Sequence, residues 1–598
     1  MKNQETLDYH LEHYLNANFP DIISIRNSNN SFAYIPIEKT IYNYLQNFDS
    51  LDCFLFDGQR KSILESFFDS ESCNSINTLY INVFVDDFQL SNPLLSKKAL
   101  LQEFTGIYFR ILTKSHLRFS KKNNIFLLAI CKKKFFCDFS NDIIFFLANE
   151  IKNLNEKKIS IFLSQRYYSL GLTVPFFSLD SKSANFLFWF KNSFNHPYCC
   201  RFCLTRRSDF SATFCDSDVV LRTHAQYNIN YGNLYSISDG DDLYGIISKS
   251  PLLHFDLNDL AISAPPCIAH DVYEGIGIKL LKLCISYCLS KKVFNVSHFF
   301  AFYENLKLTG RDKVEFPLIN FKNIDHLRLT FHECYTFFRF FLLFLSNYLS
   351  LDADIFVLLK IFTQISNFLM QCRVKQDSLA YLSTKIMSFL RLFSHVFPNA
   401  SVTIKFHHLI HYPWIISKLG PLRFLSTVNF ESMHSNLKNT VLSSKNRISS
   451  HLTIAKRYAR ASCIYEKPFF DSDRTVESEI PEILLNNIEN IRSCSQITKL
   501  YMYHSVYKQG SFISGYDEEE FRYFFEIDKI FFVNNNYYFV GFKYDFFYDG
   551  DRNIIFIGDR TEEYYIDVLS GTYEYPIYLT YTYNTNKIVF PYCSTENF

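Results

Sequence analysis

Three carboxylates that lie far apart in the sequence have the surroundings of catalytic residues, because each lies beside an apolar run. Asp86 and its neighbour Asp87 directly follow the strand-like run YINVFV. Asp180 follows VPFFSL, and Glu431 lies beside FLSTVNF. Brought together, three acids hold two Mg²⁺ ions about 3.5–4 Å apart, one activating the attacking water or 3′-hydroxyl and one stabilising the leaving oxygen of a phosphodiester.

The adjacent acids also have a simpler interpretation, a solvated strand end that is followed by a turn. In the functional interpretation the strand carries Asp86 to the edge of a sheet to bind metal. Asp87 then shapes the turn or supports its neighbour from outside the ligand set. The functional interpretation requires Asp180 and Glu431 to lie close to Asp86 in the folded chain, and the simpler interpretation does not.

Cysteines and histidines form a second set with the spacing of a zinc site. Cys200 and Cys203 are separated by two residues, the tight turn that presents two thiolates to one Zn²⁺. His407 and His411 are four residues apart and share one face if their segment is helical. Two cysteines and two histidines complete a tetrahedral site.

Other ligand sets remain open at this point. His408 is an alternative ligand, although its spacing does not suit the same helix face. Cys267 and His270 form a further pair, either as zinc ligands with Cys200 and Cys203 or as polar residues that orient the acid site. The simplest interpretation of the histidines is that they are buried or surface residues without a metal.

A basic segment begins directly after Glu431. Residues 432–465 contain no Asp or Glu, and their cationic residues are Lys438, Lys445, Arg447, Lys456, Arg457 and Arg460. Positive charge beside a metal site suits a phosphate backbone, whereas the simpler interpretation is a solvated helix face. Residues 132–134, three consecutive lysines, form a second and weaker patch.

The composition limits how such a protein contacts nucleic acid. The chain has 598 residues, enough for two to four domains, and 48% of them are hydrophobic. Lys and Arg number 61 against 60 Asp and Glu, a net charge of +1. Since the whole chain is not a polycation, any contact with nucleic acid must come from local patches.

The elements that position these residues change in character along the chain. Residues 78–180 alternate strand-like runs with helix-length segments such as 94–114, which predicts an α/β layer. Residues 268–400 are long and helical in pattern. From about residue 500 the sequence is aromatic and β-rich with Asn and Gly turns, which predicts a small β module.

The beginning of the sequence and the cysteines predict an intracellular protein. The first residues, MKNQETLDYHLEHYL, contain no apolar signal-peptide core. The most lipid-like stretch begins at Phe337, carries Arg339 and is shorter than a membrane span of about 18 residues, so we expect a buried helix. The 16 cysteines lack the dense framework of a small secreted domain, and we expect them to be reduced.

Taken in order, these segments resemble the DDE/D transposases, and in particular the CACTA-like (En/Spm-type) transposon-derived proteins. The similarity covers about residues 30–465. The stretches that carry it are YIPIEKTIYNYL, FDGQRKSILESF, VFVDDFQLSNPL, LDSKSANFLFWFKNSF, CRFCLTRR, VVLRTHAQY, CIAHDVYEG, KFHHLIHYP, GPLRFLSTVNFESMHSNLK and SSKNRISSHLTIAKRYA.

The resemblance implies an RNase H-like α/β core that a largely helical insertion interrupts. Its implied parts are an N-terminal mixed region (1–70), the first part of the core (71–190), a zinc-containing insertion (191–415), the completion of the core (416–470) and a β-rich C-terminal module (471–598). The three catalytic acids fall on Asp86, Asp180 and Glu431, with Asp87, Cys267 and His270 as supporting residues. The zinc ligands fall on Cys200, Cys203, His407 and His411.

The implied activity is that of a DNA transposase, which cuts and joins strands by two-metal phosphoryl transfer. It implies Mg²⁺ or Mn²⁺ at the acids, structural Zn²⁺, double-stranded DNA of transposon ends and target, and a nuclear location without a membrane. Homo-oligomer formation stays open.

Two alternatives compete with this function. The sequence has Leu179 where the family usually has Gly, Asn429 where it usually has Arg, and no recognisable DNA-binding finger before residue 30. These departures favour a domesticated or decayed relative that binds DNA or protein without catalysis. A zinc-stabilised interaction scaffold is the third interpretation, and it leaves the three acids unexplained.

Overall fold

A computed structural model of the 598-residue chain describes most of its residues. The described residues are 18–25, 31–48, 50–89, 103–114, 124–233, 243–255, 257, 260–306, 316–317, 319–428, 430–431, 433–434, 437, 449–462, 471–476, 479–488, 490–502, 505–516, 522–534, 536–552, 554–568, 573–578, 581–583 and 586–589.

The strands of these ranges are β1 (Asp21–Ser24), β2 (Ser31–Tyr34), β3 (Ile63–Leu64), β4 (Thr78–Gln89), β5 (Glu103–Ile111), β6 (Ile125–Lys132), β7 (Ile159–Leu163), β8 (Arg166–Thr173), β9 (Phe177–Ser178), β10 (Val374–Lys375), β11 (Asp471–Val476), β12 (Cys494–Met502), β13 (Ser505–Lys508), β14 (Phe512–Tyr516), β15 (Arg522–Val533), β16 (Asn536–Asp549), β17 (Ile554–Asp567), β18 (Tyr573–Tyr578), β19 (Tyr581–Tyr583) and β20 (Asn586–Val589).

The α-helices are α1 (Ile37–Leu45), α2 (Lys133–Lys157), α3 (Ser181–Leu187), α4 (His224–Asn233), α5 (Ile278–Ser290), α6 (Val296–Asn305), α7 (Phe331–Leu345), α8 (Asp354–Leu369), α9 (Ser378–Val396), α10 (Ile404–His408), α11 (Tyr412–Leu419), α12 (Ser450–Ser462) and α13 (Glu482–Asn487). Residues 428, 430–431, 433–434 and 437 are also helical, and we call this segment the Glu431 helix.

The chain forms two compact units. Unit 1 comprises Met1–Ala269, Arg373–Leu379 and Val402–Lys467. Unit 2 comprises His270–Cys372, Ala380–Ser401 and Pro468–Phe598. Each unit is therefore built from separated parts of the sequence, and the five-part division remains a prediction.

Unit 1 is built on a mixed sheet with the strand order β1-β2-β6-β5-β4-β8-β7. Strands β4, β5 and β6 form an antiparallel meander, while β8 and then β9 run parallel to β4 on its other side. Since β8 and β9 are successive segments, the chain returns alongside β4 in the same direction. The carboxyl ends of β4 and β9 consequently lie at the same part of the sheet.

Strand β4 is buried on both faces, and successive side chains point to opposite sides of it. Val83 and Val85 belong to a large apolar core that includes residues of α1 and α2. Phe84 and Phe88 belong to a second core on the other face. The alternation therefore assigns each residue of β4 to one of two different environments.

The expectation that β4 ends at its acids is wrong. The strand continues to Gln89, and Asp86 and Asp87 pair with Gly106 and Thr105 of β5. Because Phe88 adds one more buried side chain to the apolar pattern, the strand continues past the acids. Asp87 therefore does not shape a turn, and the two carboxylates point to opposite faces of the sheet.

The expectation of a helix-length segment at 94–114 also differs from the observed structure. Residues 103–111 are strand β5, and residues 94–102 lie outside the described residues. The sequence of β5, EFTGIYFRI, is rich in aromatic and β-branched side chains that suit a pleated surface. These side chains are buried after the first residue, so packing on both faces stabilises a strand here.

The Glu431 helix and α12 cover the face of the sheet that carries Phe84. Phe430 and Met433 of the Glu431 helix and Ile454 and Ala455 of α12 are buried in that second core. Only the buried side of α12 is apolar, and Lys456 on the same helix is exposed. Amphipathic packing of this kind places residue 431 against the sheet.

Unit 2 contains a helical part and a sheet. In the helical part α7 packs against α6 and α8, and the ring of Phe338 lies 4.7 Å from that of Phe362. Helix α7 is almost completely buried, as we expected of its apolar sequence. The ten-stranded sheet has the main order β11-β12-β15-β16-β17-β20-β19.

The predicted mixture of α and β structure with a β-rich C-terminal sheet is confirmed. Every helix within the described ranges is too short or too polar to cross a bilayer. None of the cysteines that the structure describes forms a disulfide bond.

Candidate active site and metal centre

Asp86 is placed at the candidate active site by the alternation of β4. Its side chain lies on the same face as Phe84, whose ring stacks on Phe430 at 4.9 Å between ring centroids. Glu431 is the next residue after Phe430, so this contact fixes the Glu431 helix beside the strand that carries Asp86. The Asp86 side chain keeps 34% of its surface exposed, so it is accessible from solvent.

Asp180 is placed beside Asp86 by strand pairing. Phe84 pairs in parallel with Ser178, and each acid follows its paired residue by two positions. Asp180 is also the N-cap of α3, where its Oδ1 accepts a hydrogen bond of 2.6 Å from the backbone N–H of Ser183. One oxygen therefore caps a helix, which holds the carboxylate in a fixed orientation.

Glu431 is oriented by a short chain of hydrogen bonds. The hydroxyl of Thr427, one helical turn earlier, donates to Glu431 Oε1 at 2.6 Å. The Thr427 oxygen lies 3.2 Å from the thiol sulfur of the buried Cys267. Cys267 thus contacts the residues that orient an acid, one of the two roles that its sequence left open.

The negative charges of Glu431 and Asp180 act on Asp86. Burial, and after it the negative charges of Glu431 and Asp180, raise the pKa of Asp86 to about 7. Like-charged carboxylates disfavour each other's ionised form, and a bound cation removes that penalty. The oxygen donors suit a hard divalent ion such as Mg²⁺.

Asp87 lies apart from this group, in a network on the other face. Its Oδ1 accepts a hydrogen bond of 2.5 Å from the Thr105 hydroxyl, and its Oδ2 lies 3.3 Å from Lys133 Nζ. Lys133 also pairs with Glu103 at 3.2 Å. The central lysine of the 132–134 patch is therefore engaged by acids, which weakens that patch as a site for phosphate.

A buried hydrogen-bond node joins the three elements that carry the acids. The side chain of Asn82 in β4 donates to Ser178 Oγ at 2.8 Å and accepts from the Ser178 backbone N–H at 3.1 Å. The Ser178 hydroxyl donates to the carbonyl of Leu425 at 2.6 Å, six residues before Glu431. The node ties β4, β9 and the approach to the Glu431 helix together close to the candidate site.

The candidate metal centre is more tightly assembled. Cys200, Cys203, His407 and His411 each offer a ligand atom, and these atoms all lie within 4.8 Å of one another. Within the described ranges no other group of three or more such residues meets this description, and Asp86, Asp180 and Glu431 are not such a group. All four side chains are fully buried, with exposures of 0%.

The contacts within the centre pair each cysteine with a histidine. Cys203 Sγ lies 3.1 Å from His407 Nε2, and Cys200 Sγ lies 3.7 Å from His411 Nε2. The ring of His407 stacks on Phe210, with 4.0 Å between the centroids. Two sulfur and two nitrogen donors facing one point are the donor set of a closed tetrahedral Zn²⁺ site.

An outer residue supports the second histidine. His411 Nδ1 lies 2.5 Å from Asp216 Oδ1, which leaves Nε2 facing the centre. Burial alone would lower the pKa of His411, but the contacts with Asp216 and Cys203 outweigh it and raise the pKa. Such a carboxylate–histidine pair is the usual second layer of a zinc site.

The pKa values of the Cys200 and Cys203 thiols shift in opposite directions because the two groups are buried side by side. The hydrogen bond from Cys200, and after it the imidazoles, lower the pKa of Cys203. Burial, and after it the charge of Cys203, raises the pKa of Cys200. One thiolate is therefore favoured without metal, and a cation would favour both.

Two arginines connect the cysteine turn to its surroundings. Arg222 Nε donates to the carbonyls of Cys200 and Cys203 at 2.9 and 3.1 Å. Arg201, between the cysteines in sequence, donates to the carbonyl of Ala264 at 3.1 Å and to Ser181 Oγ at 3.3 Å. Because Ser181 follows Asp180, the metal centre and an acid are linked through one buried side chain.

The remaining predicted residues take other positions. His408 is buried outside the centre, with its ring 5.0 Å from that of Phe202. His270 belongs to unit 2, where its Nε2 lies 3.9 Å from Glu274. The rival zinc set with Cys267 and His270 is therefore not the compact group that the described residues form.

Three of the basic residues lie on α12 and three do not belong to the described part of the chain. Lys456 is exposed, and Arg457 and Arg460 are half-buried. Outside the described residues lie Lys438, Lys445 and Arg447. The role of the segment in DNA binding stays a prediction.

Sequence reasoning missed several residues that the fold brings to these sites. Asn82 and Ser178 are single buried polar residues in apolar runs, without a recognisable spacing. His434 was also missed, although its position three residues after Glu431 places both on one side of a helix. Asp216, the partner of His411, has no signal in the sequence that distinguishes it from other acids.

Comparison of the chain with models of known protein families and with curated proteins gave no match.

Proposed function

We propose that the protein is a DNA transposase that cuts and joins DNA strands by metal-dependent phosphoryl transfer at Asp86, Asp180 and Glu431. The observation that carries this proposal is the meeting of three elements distant in sequence. Phe84 pairs with Ser178 and stacks on Phe430, and each of these residues lies within two positions of one acid. The negative charges of Glu431 and Asp180 contribute to the raised pKa of Asp86, which supports the same arrangement.

The order of elements around Asp86 supports an RNase H-like core. The antiparallel meander of β4, β5 and β6 is followed by α2 and by a chain segment that returns parallel to β4. Unit 2 residues His270–Cys372 fall between Asp180 and Glu431 in sequence, as an insertion into such a core does. We therefore include the RNase H-like topology in the proposal.

The residues of the chain divide the task between them. Asp86 on β4 and Glu431 on its helix supply carboxylate oxygens, and Thr427 orients Glu431. Asp180 supplies its second oxygen, since the first caps α3. Divalent ions held there would activate the attacking oxygen and neutralise charge on the phosphate.

The Cys/His centre has a structural part in the proposal. Its four ligand positions are filled by protein side chains, which leaves no open coordination position for a substrate. Through Arg201 and Ser181 it also holds the start of α3, which Asp180 caps. Zinc there would stabilise the geometry of the acids without taking part in the reaction.

DNA is the proposed substrate, and the nucleus is the proposed location. Lys456 on α12 is exposed, and α12 packs on the same sheet face as the Glu431 helix. A phosphate backbone lying along this helix would pass near the acids. The charge of +1 for the whole chain means that affinity depends on this local patch.

Nicking of a supercoiled plasmid with Mg²⁺ or Mn²⁺ tests the proposal. We expect Asp86→Asn, Asp180→Asn and Glu431→Gln each to reduce nicking to the metal-free background. Asp87→Asn is the matched control, because its carboxylate points to the other face, and we expect it to retain nicking. If Asp86→Asn nicks at the wild-type rate, the proposal is wrong. A wild-type protein that binds DNA but never nicks it would favour the decayed, non-catalytic relative.

A further inference from the structure

His434 shares the face of the sheet with the candidate active site. It lies three residues after Glu431 on the same helix, close to one turn further along. Its side chain is 8% exposed, so it is buried among its neighbours. A polar ring buried beside Asp86 needs a reason beyond filling space.

Aromatic side chains hold the imidazole in one orientation. The ring stacks on Phe88 with 4.9 Å between centroids and an interplanar angle of 26°. Tyr108 and Phe84 lie 5.4 and 6.0 Å away by the same measure. The ring is therefore fixed by packing, as a preorganised ligand must be.

His434 Nδ1 and Asp86 lie close enough together for both to reach one ion. His434 Nδ1 lies 3.8 Å from Asp86 Oδ2, longer than a hydrogen bond. Two donors each about 2.1 Å from an octahedral ion lie roughly 3.0 Å apart in neighbouring positions and roughly 4.2 Å apart in opposite ones. The observed separation is shorter than the largest distance that two ligands of one such ion can span.

We propose that His434 is a nitrogen ligand of the divalent ion at Asp86, which makes this site selective for an ion that accepts imidazole. Carboxylates suit Mg²⁺, Ca²⁺ and Mn²⁺ alike, whereas imidazole is a ligand of transition-metal ions, so an added nitrogen favours Mn²⁺ and the later transition-metal ions over Mg²⁺ and Ca²⁺. This inference rests on the proposed function for the location of the ion. It goes further by naming a fourth ligand and the preferred class of cation.

Pulsed electron paramagnetic resonance of bound Mn²⁺ tests the proposal directly, since it detects a coordinated ¹⁴N nucleus. The sample is the full chain with Zn²⁺ in the Cys/His centre and one equivalent of Mn²⁺. We expect ¹⁴N coupling in the wild type and its loss in His434→Phe, which keeps an aromatic ring in the packed position. Mn²⁺ affinity should fall at least about tenfold, the effect that loss of outer-layer support already produces. Ca²⁺ affinity should change little.

The controls separate this inference from the proposed function. His395→Ala removes an exposed histidine of unit 2, and we expect the coupling to remain. Mn²⁺ that binds in an Asp86-dependent manner without ¹⁴N coupling would overturn the role of His434 and leave the proposed function intact. Mn²⁺ binding that Asp86→Asn does not weaken would place the ion elsewhere and overturn both.

Discussion

The two candidate sites of unit 1 are assembled in opposite ways. At the Cys/His centre four fully buried side chains place their ligand atoms within 4.8 Å of one another. At the acid site the three carboxylates do not form a group of this kind, and Asp86 keeps 34% of its side chain exposed. Protein side chains fill every ligand position of the Cys/His centre, whereas the acid site stays accessible to solvent at Asp86.

Under the proposed function, the difference is that between a structural site, which burial closes, and a catalytic site, which stays partly exposed. A closed site offers a metal all of its ligands and stabilises the fold on binding. A catalytic acid site must leave coordination positions open for substrate and water. Without a bound cation, the negative charges of its carboxylates are not neutralised and repel one another. The raised pKa of Asp86 reflects its burial first and the negative charges of Glu431 and Asp180 after it.

The largest effect that we expect comes from breaking the closed site. Cys203→Ser removes one of four ligands, so the protein should lose its zinc and much of its stability. Binding of an ion at a concentration 1,000 times its dissociation constant contributes about 4 kcal/mol to the free energy of unfolding. We expect a loss of about this size, measured by denaturant unfolding together with elemental analysis for zinc.

A nearby cysteine outside the centre provides the control for this variant. The thiol of Cys215 contacts Ser217 at 3.0 Å and does not belong to the ligand group. Cys215→Ser should keep both the zinc and the stability of the wild type. Equal stability of Cys203→Ser and wild type would mean that the centre does not bind a stabilising ion.

A smaller effect of opposite sign is expected at the acid site. In metal-free protein Asp86→Asn removes a negative charge from beside Glu431 and Asp180, so the fold should become more stable. The folded state holds the Asp86 proton up to about pH 7, whereas an unfolded chain releases it near pH 4. Stability from this group is therefore present at low pH and lost as the pH rises towards 7.

Denaturant midpoints of the metal-free proteins across pH 4 to 8 measure this effect. The gain in Asp86→Asn over wild type should grow with pH through this range and then level off. Asp87→Asn, which loses its contacts with Lys133 and Thr105, should show no such gain. A variant Asp86→Asn that is less stable than wild type at pH 8 would show that the ionised Asp86 carboxylate does not destabilise the folded protein.

The smallest expected effect concerns DNA binding by α12. Lys456→Gln removes one exposed positive charge, so it should lower the slope of log K against log salt by about 0.9. Fluorescence titration of duplex DNA at several salt concentrations measures the slope. Lys152→Gln, an exposed lysine on α2, serves as the control. Equal slopes for Lys456→Gln and wild type would place the DNA path away from α12.

The closed site was more predictable from the sequence than the acid site. The two-residue spacing of Cys200 and Cys203 and the four-residue spacing of His407 and His411 can be recognised in the sequence. Local patterns were therefore enough to predict the four residues of this group. The position of Asp86 depends on alternation along β4 and on pairing with β9, which join residues almost 100 positions apart.

Long-range contacts explain the errors and omissions. Strand β5 was assigned to a helix-length segment because its burial on both faces hides the period of two. Asn82 and Ser178 were missed because their importance lies in a hydrogen bond across two strands. His434 was missed because its neighbour Asp86 is supplied by a different element.

Anomalous diffraction from crystals soaked in Mn²⁺, with data at the zinc and manganese absorption edges, tests the central claim most directly. We expect a zinc peak bonded to Cys200 and Cys203 at about 2.3 Å. We also expect a manganese peak against Asp86, within reach of Glu431 and Asp180. A zinc peak with no manganese among the three carboxylates, in crystals where that face is open to solvent, would contradict the assignment of an open catalytic metal site.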